Sequence, residues 1–306
     1  MEELNATGAA QKPETAENIE NCGICGGQLQ FPPEETAKRA EESIRKRFRK
    51  KLFSRFAKAV VDYNLISAGD KIAVCMSGGK DSFAMAKLFQ ELKRHNKLPF
   101  ELVFLVMDPG YSPINRKTIE DNAKLLDIPV TVFETDIFES VFNIEKSPCY
   151  LCARMRRGHL YHAAKDLGCN KIALGHHYDD VIETILMGML YGGQIQTMMP
   201  KLKSANFEGM ELIRPMYLIR EEHIKQWRDA NGLKFIQCAC KFTERTAKNC
   251  SDTGKRLKVK ELIRRLEAED AGIEQNIFRS VENVSLANIV EYKDKRGVRH
   301  RFDEDY

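Results

Sequence analysis

The sequence predicts an α/β fold, a parallel sheet covered by helices on both faces, with helical extensions at the N- and C-terminal ends. Three observations predict it. Short apolar runs alternate with helix-periodic segments between residues 70 and 174, the pattern of a parallel sheet with crossover helices. Residues 71–89 read as strand, glycine turn and helix in direct succession. The chain has 306 residues and is 43% hydrophobic, enough for a large core.

In order, Pro33 suits a helix start, and residues 34–64 carry helical patterning. Leu52, Phe53, Phe56, Val60 and Tyr63 recur at steps of three and four, a stripe that suits either core or a homodimer surface. Residues 70–76 are the first strand, and the following helix ends near His95. Residues 100–107 are a buried strand closed by Asp108-Pro109-Gly110. Residues 113–126 read as a helix, 129–134 as a strand, 154–167 as a helix and 172–174 as a strand. Beyond Pro200 the strand signal weakens. Residues 219–231 and 255–269 are helical, and 276–289 carry a fainter helical pattern. The organisation expected is a segment 1–33 with a CxxC, a helical region 34–66, an α/β domain 67–215, and a helical C-terminal region 216–306 with a basic tail.

Net charge is only +4, so its distribution says more than its total. Residues 38–58 and the tail 293–301 are dense in Lys and Arg. Such patches can contact phosphate backbones, although each alone also suits a solvated helix face or a loose tail. No run of about 18 apolar residues is present, and the acidic N-terminus lacks the order of a signal peptide. A cytoplasmic protein without membrane contact is expected. Nine cysteines in such a chain argue against a disulfide framework. Cys75 and Cys169 stand beside apolar runs as small core residues. Cys22 and Cys25 resemble one knuckle of a zinc ribbon, without a second CxxC nearby to complete four ligands.

Three motifs carry chemistry. In Ser77-Gly78-Gly79-Lys80-Asp81-Ser82, backbone N–H groups and a helix N-terminus converge where a phosphate fits. The glycines allow close approach, the serines add hydroxyl donors and Lys80 adds charge. The loop is too short for the GxxxxGK[ST] spacing. Cys149 and Cys152 form a CxxC in a turn leading into a helix, with Arg154, Arg156 and Arg157 beside them to favour thiolate over thiol. Zinc, an iron–sulfur cluster and a redox dithiol all fit two such ligands. Gly175-His176-His177-Tyr178-Asp179-Asp180 follows a strand and opens a helix. Asp179 suits an N-cap, and Asp179 and Asp180 could help hold magnesium. Ligands of open parallel sheets bind at the carboxyl ends of strands. That edge carries Ser77 to Ser82, Asp108 and Gly175-His176.

SGGKDS resembles the PP-loop of ATP pyrophosphatases, the adenine nucleotide α-hydrolase-like fold. With CYLCARMRRGHLYH at 149–162, KIALGHHYDD at 171–180, MLYGGQIQTMMPKL at 189–202 and IRPMYLIREEHI at 213–224, the chain resembles the tRNA 2-thiocytidine synthetases, a branch of the PP-loop tRNA sulfurtransferases. FRSVENV at 278–284 is a weaker echo, and the resemblance covers roughly residues 45–290. It implies ATP and Mg2+ at the PP-loop, with ATP contacts from Ser77, Gly78, Gly79, Lys80, Asp81, Ser82, Asp108, Gly175 and His176. Asp81 and Asp180 would place the magnesium. It also implies a [4Fe–4S] cluster on Cys149, Cys152 and Cys238, and tRNA held by Arg154, Arg156 and Arg157. Lys80, Asp81 and the three cysteines are the expected catalytic set. The family's CxxC near the third ligand is replaced here by Cys238-Ala239-Cys240, and Cys238, after the strand-like Phe235-Ile236, is the preferred ligand. The activity implied is adenylylation of cytidine 32 of tRNA and replacement of O2 by sulfur, with a cysteine desulfurase persulfide as a plausible source. Alternatives are a thiolase acting on a tRNA uridine and a cluster-free ATP-dependent tRNA ligase.

Overall fold

The computed structural model describes residues 32–142, 148–236 and 251–303. Its central sheet contains β1 (Lys71–Met76), β2 (Glu101–Asp108), β3 (Val130–Glu134), β4 (Lys171–Ala173), β5 (Lys201–Lys203) and β6 (Glu211–Ile213), in the order β3-β2-β1-β4-β6-β5. All neighbours are parallel except the edge strand β5, which runs antiparallel to β6. The chain leaves β1 towards β2 and later returns to β4 on the other side of β1, so the switch point of the sheet lies between the carboxyl ends of β1 and β4.

The first strand shows why both faces are covered. Ile72, Val74 and Met76 face one core, and Ala73 and Cys75 the other, because successive side chains point to opposite sides. The larger core takes α3 (Lys80–Arg94), α4 (Pro113–Leu125) and α7 (Tyr178–Gly192), and also the extensions α1 (Pro33–Arg45), α2 (Phe53–Asp62), α8 (Glu221–Ala230), α9 (Ser251–Glu269) and α10 (Ile273–Ser280). The opposite face is covered by α6 (Pro148–Asp166), preceded by α5 (Ile137–Phe142). One continuous set of buried side chains runs from Ala40 through Trp227 to Phe278, and the Trp227 indole donates to the Ala40 carbonyl at 3.2 Å. Cys75 and Cys169 are buried in the smaller core, and burial pushes the Cys75 thiol up to about 12.

Several expectations are corrected. The helical stretch 34–64 is broken at residues 46–52. Like charges recur there at i, i+4 (Arg45/Arg49, Lys46/Lys50, Arg47/Lys51), which disfavours a continuous helix. The stripe from Leu52 to Val60 is core within the chain, with Leu52 and Phe56 fully buried, so it does not supply a homodimer surface. The first turn of α6 already contains the CxxC, which sits in the helix and not in a turn before it. Strands β5 and β6 lie beyond Pro200, each three residues long, too short for their alternation to register in sequence. Phe235-Ile236 lies in a stretch without regular secondary structure, not in a strand. The basic tail is a hairpin, β7 (Glu291–Lys293) with β8 (Arg299–Arg301), in which Tyr292 stacks on His300 with ring centroids 4.9 Å apart. The helical pattern over 276–289 ends at Ser280, followed by one 3-10 turn at Leu286–Asn288. Among the described residues no helix is long and apolar enough to cross a membrane. Cys22, Cys25, Cys238 and Cys240 lie outside the described residues.

Candidate active site

The site is built on the turn between β1 and α3. Gly78 has φ +84°, a left-handed conformation that favours glycine. A methyl group added there would lie 2.5 Å from Ile236 Cδ1 and 2.6 Å from Ile119 Cγ1. Gly79 is the N-cap of α3, and the Ser82 hydroxyl donates to its carbonyl at 2.8 Å. The first turn of α3 therefore offers unpaired N–H groups at the switch point, an anion-binding end. Gly175, after β4, packs on that turn: a Cβ on it would meet Asp81 C and Ser82 N at 3.5 Å.

Lys80 Nζ lies 3.0 Å from Asp81 Oδ2 and 3.0 Å from Glu221 Oε1. Burial pulls the ammonium down, but the two carboxylates outweigh it and hold it above its ordinary value. Asp81 Oδ1 is buried without a hydrogen-bond partner, and His177 Nε2 stands 4.0 Å away. An unsatisfied buried carboxylate oxygen beside a phosphate cradle suits a cation such as Mg2+. Asp180 is already engaged. It forms a capping box with His177, accepting the His177 N–H at 3.0 Å, and meets Arg256 Nη1 at 3.2 Å. Burial opposes its ionisation, and His177, with its backbone N–H, overcomes this and lowers its pKa. The N-cap of α7 is thus His177, not Asp179. Asp179 instead accepts the Glu221 N–H at 2.7 Å, at the start of α8.

Asp108 ends β2 with both oxygens occupied. Oδ1 accepts the Gly110 and Tyr111 N–H groups at 2.9 and 2.7 Å, and Oδ2 meets Arg116 at 2.7 Å. It shapes the loop at this edge. Cys152 is half-buried and packs with Met155 and Leu160 against Met107, the residue before Asp108, and Ile137. Arg156 reaches the Tyr111 hydroxyl, and Arg154 and Arg157 are exposed on the same helix. The backbone puts positions 149 and 152 one helical turn apart on one face, a spacing that fits two ligands of one metal centre. Among the described residues no three metal-ligating side chains converge. The described chain before Cys238 ends on the phosphate cradle. Ile236 abuts Gly78 and Gly79, and Phe235 stacks on Phe83 with centroids 4.8 Å apart.

A model of the PP-loop domain matches residues 46–251. The tRNA-cytidine(32) 2-sulfurtransferase of Paraburkholderia phytofirmans is 34% identical over 272 residues, covering 85% of this chain and 79% of the relative. That of Acaryochloris marina is 33% identical over 249 residues, covering 80% and 85%. The chain belongs to the PP-loop tRNA-cytidine 2-sulfurtransferase family. It is accordingly a transferase of the tRNA-thiolating class. Its fold is shared with the U34-tRNA thiolase NcsA of Methanococcus maripaludis, solved with its [4Fe–4S] cluster, at TM-score 0.57 and 21% identity over 85% of each chain.

The residue that sequence reasoning missed in this sulfurtransferase is Glu221. It holds Lys80 and is itself held by Lys260 at 2.7 Å and Lys225 at 3.0 Å. The available signal was its position opening a predicted helix inside IRPMYLIREEHI. Burial works against its ionisation, yet Lys260, Lys80 and Lys225 keep the carboxyl far below the usual range. A carboxylate with a depressed folded pKa contributes stability that is complete above its unfolded value, about 4.3, and lost as the pH falls through the folded one. Glu221→Gln should therefore melt below the wild type at pH 7, with the gap narrowing below about pH 4. Thermal denaturation at both pH values checks this, and an equal gap at each would contradict it.

Proposed function

We propose that this sulfurtransferase adenylylates cytidine 32 of tRNA with ATP and then replaces O2 by sulfur. The observation that carries the reading is that Cys152 packs against the carboxyl end of β2, next to the strand carrying the PP-loop. ATP activation and sulfur delivery then occupy one sheet edge.

The α3 N-terminus, Gly78 and Gly79 hold the ATP phosphates, with Ser77 and Ser82 as hydroxyl donors, and Lys80 exchanges part of its carboxylate company for phosphate oxygen. Gly175 and His176 close the cradle from β4. Asp81, through its unpartnered oxygen, would hold Mg2+, which neutralises phosphate charge. Asp180 would join it on releasing Arg256. The cytosine O2 attacks the α-phosphate, the α–β bridge breaks and pyrophosphate leaves. The oxygen on C2 is now a phosphate ester, so sulfide attack at C2 breaks the C–O bond and expels AMP. Cys149, Cys152 and Cys238 would hold a [4Fe–4S] cluster, which supplies sulfide when bound. Ile236 on the PP-loop, two residues before Cys238, supports that ligand set. Arg154, Arg156 and Arg157 on α6 meet tRNA phosphates, and a base in the anticodon loop is reached without melting a duplex. A cysteine desulfurase is the class of sulfur donor this chemistry needs.

Mass spectrometry of tRNA nucleosides from a deletion strain tests the assignment. The expected result is loss of 2-thiocytidine, restored by the intact gene. Unchanged 2-thiocytidine with loss of a 2-thiouridine would move the activity to uridine and sink the cytidine assignment.

A further inference from the structure

Arg214 follows β6 directly and is buried, with 4% of its surface exposed. Its Nη1 donates to the Met199 carbonyl, and its Nε has no hydrogen-bond partner. Among the described residues no carboxylate lies within 4 Å of it, although buried charges are normally paired. The nearest influences compound the problem. Arg157 projects from α6 as a second positive charge, and Asp180 acts only from a greater distance. Burial, reinforced by Arg157, pulls the Arg214 guanidinium down to about 10. Facing the same place is His176, whose buried Nδ1 also lacks a partner. Burial and Arg214 press its pKa down to about 4, so the ring is neutral near pH 7 and one tautomer makes Nδ1 a donor. The ladder explains the meeting: Leu174 N–H donates to the Ile213 carbonyl at 3.0 Å, which sets the β4 loop beside the end of β6.

A buried guanidinium and an imidazole thus meet, each with one nitrogen left without a partner, and among the described residues Asp180 is the only carboxylate that acts on both. A planar fork of donors in a desolvated site matches phosphate oxygens. We propose that Arg214 and His176 form a second phosphate subsite beside the PP-loop cradle, at the carboxyl ends of β4 and β6. The phosphate belongs to ATP or to the RNA backbone beside the target base. The proposal rests on the functional reading only in taking ATP and tRNA as the two ligands.

Equilibrium binding by the full chain separates the sources. One arm uses α,β-methylene-ATP, and the other an unmodified tRNA transcript at two salt concentrations. Losing a charged contact of this kind costs about ten- to a hundredfold in affinity. If the phosphate is the nucleotide's, Arg214→Gln weakens the ATP analogue by that factor and leaves tRNA unchanged. If it is the RNA's, tRNA weakens, its salt dependence falls by about one phosphate contact, and the nucleotide is unaffected. Arg214→Lys recovers part of the loss. A purely structural role would lower Tm without selecting one ligand. Equal affinities for both ligands in folded Arg214→Gln overturn the proposal. Should that variant not fold, Arg214→Lys decides, since it keeps the charge and loses the planar fork, and unchanged affinities there overturn the proposal equally. A wild-type chain that binds both ligands but forms no 2-thiocytidine defeats the functional reading and leaves this comparison intact.

Discussion

Gly78→Ala is expected to remove ATP-dependent activity and to destabilise the protein by about 2–5 kcal/mol. Two costs add. An L residue at φ +84° is strained. Its Cβ would also collide with Ile236 and Ile119 side chains at 2.5 and 2.6 Å, in a packed interior that yields only by moving backbone or rotamers. Ile236 is the end of the described segment before Cys238, so the displacement propagates towards the expected third ligand as well as into the phosphate cradle. Gly79→Ala is the control. Its φ is −82°, and an added methyl would meet its nearest atoms at 3.7 and 3.8 Å, so its Tm should stay near the wild type. Thermal melts and ATP binding of the two variants make the comparison. Equal losses of stability would show that the steric account of Gly78 is wrong.

Cys152→Ala is expected to lower thiolation by more than about a hundredfold while ATP binding stays near wild type, since losing a ligand costs more than losing its outer-shell support. The side chain sits against Met107 and Ile137, away from the Lys80–Asp81–Glu221 group. Lys80→Ala should show the opposite pattern: ATP use falls, and iron and sulfide content is retained. Both are read after anaerobic purification by iron and sulfide analysis, nucleotide binding and product nucleosides. A Cys152→Ala protein that thiolates normally would remove the cysteine from the proposed chemistry. An active wild-type protein free of iron would exclude the cluster mechanism.

How much of this was legible beforehand depended on the range of each interaction. Strands β1 to β4 and helices α3, α4 and α8 were readable because their apolar periodicity is local. So was the glycine turn proposed to hold phosphate, since a strand, two glycines, Lys80 and a helix follow one another in the chain. The break at residues 46–52 was hidden because amphipathic patterning continues through Phe48 and Leu52, both of which reach the core from within the break. The N-cap of α7 was misassigned to Asp179 because its neighbour His177 can also accept a backbone N–H, and Asp179 is drawn instead to the start of α8.

The sequence by itself determined the doubly covered parallel sheet and the edge that bears the candidate site, because these rest on spacing within contiguous segments, and its motifs carried the resemblance to the family. Only the tertiary structure decided which distant groups meet. Glu221 reaches Lys80, Arg214 comes to lie buried beside His176, and Asp108 spends its oxygens on its own loop and Arg116. The physical reason is that a charge's partner is set by how the sheet edge and the packed helices bring remote segments together. The linear order of the chain does not encode whether a carboxylate is left free for a ligand or taken up by the fold.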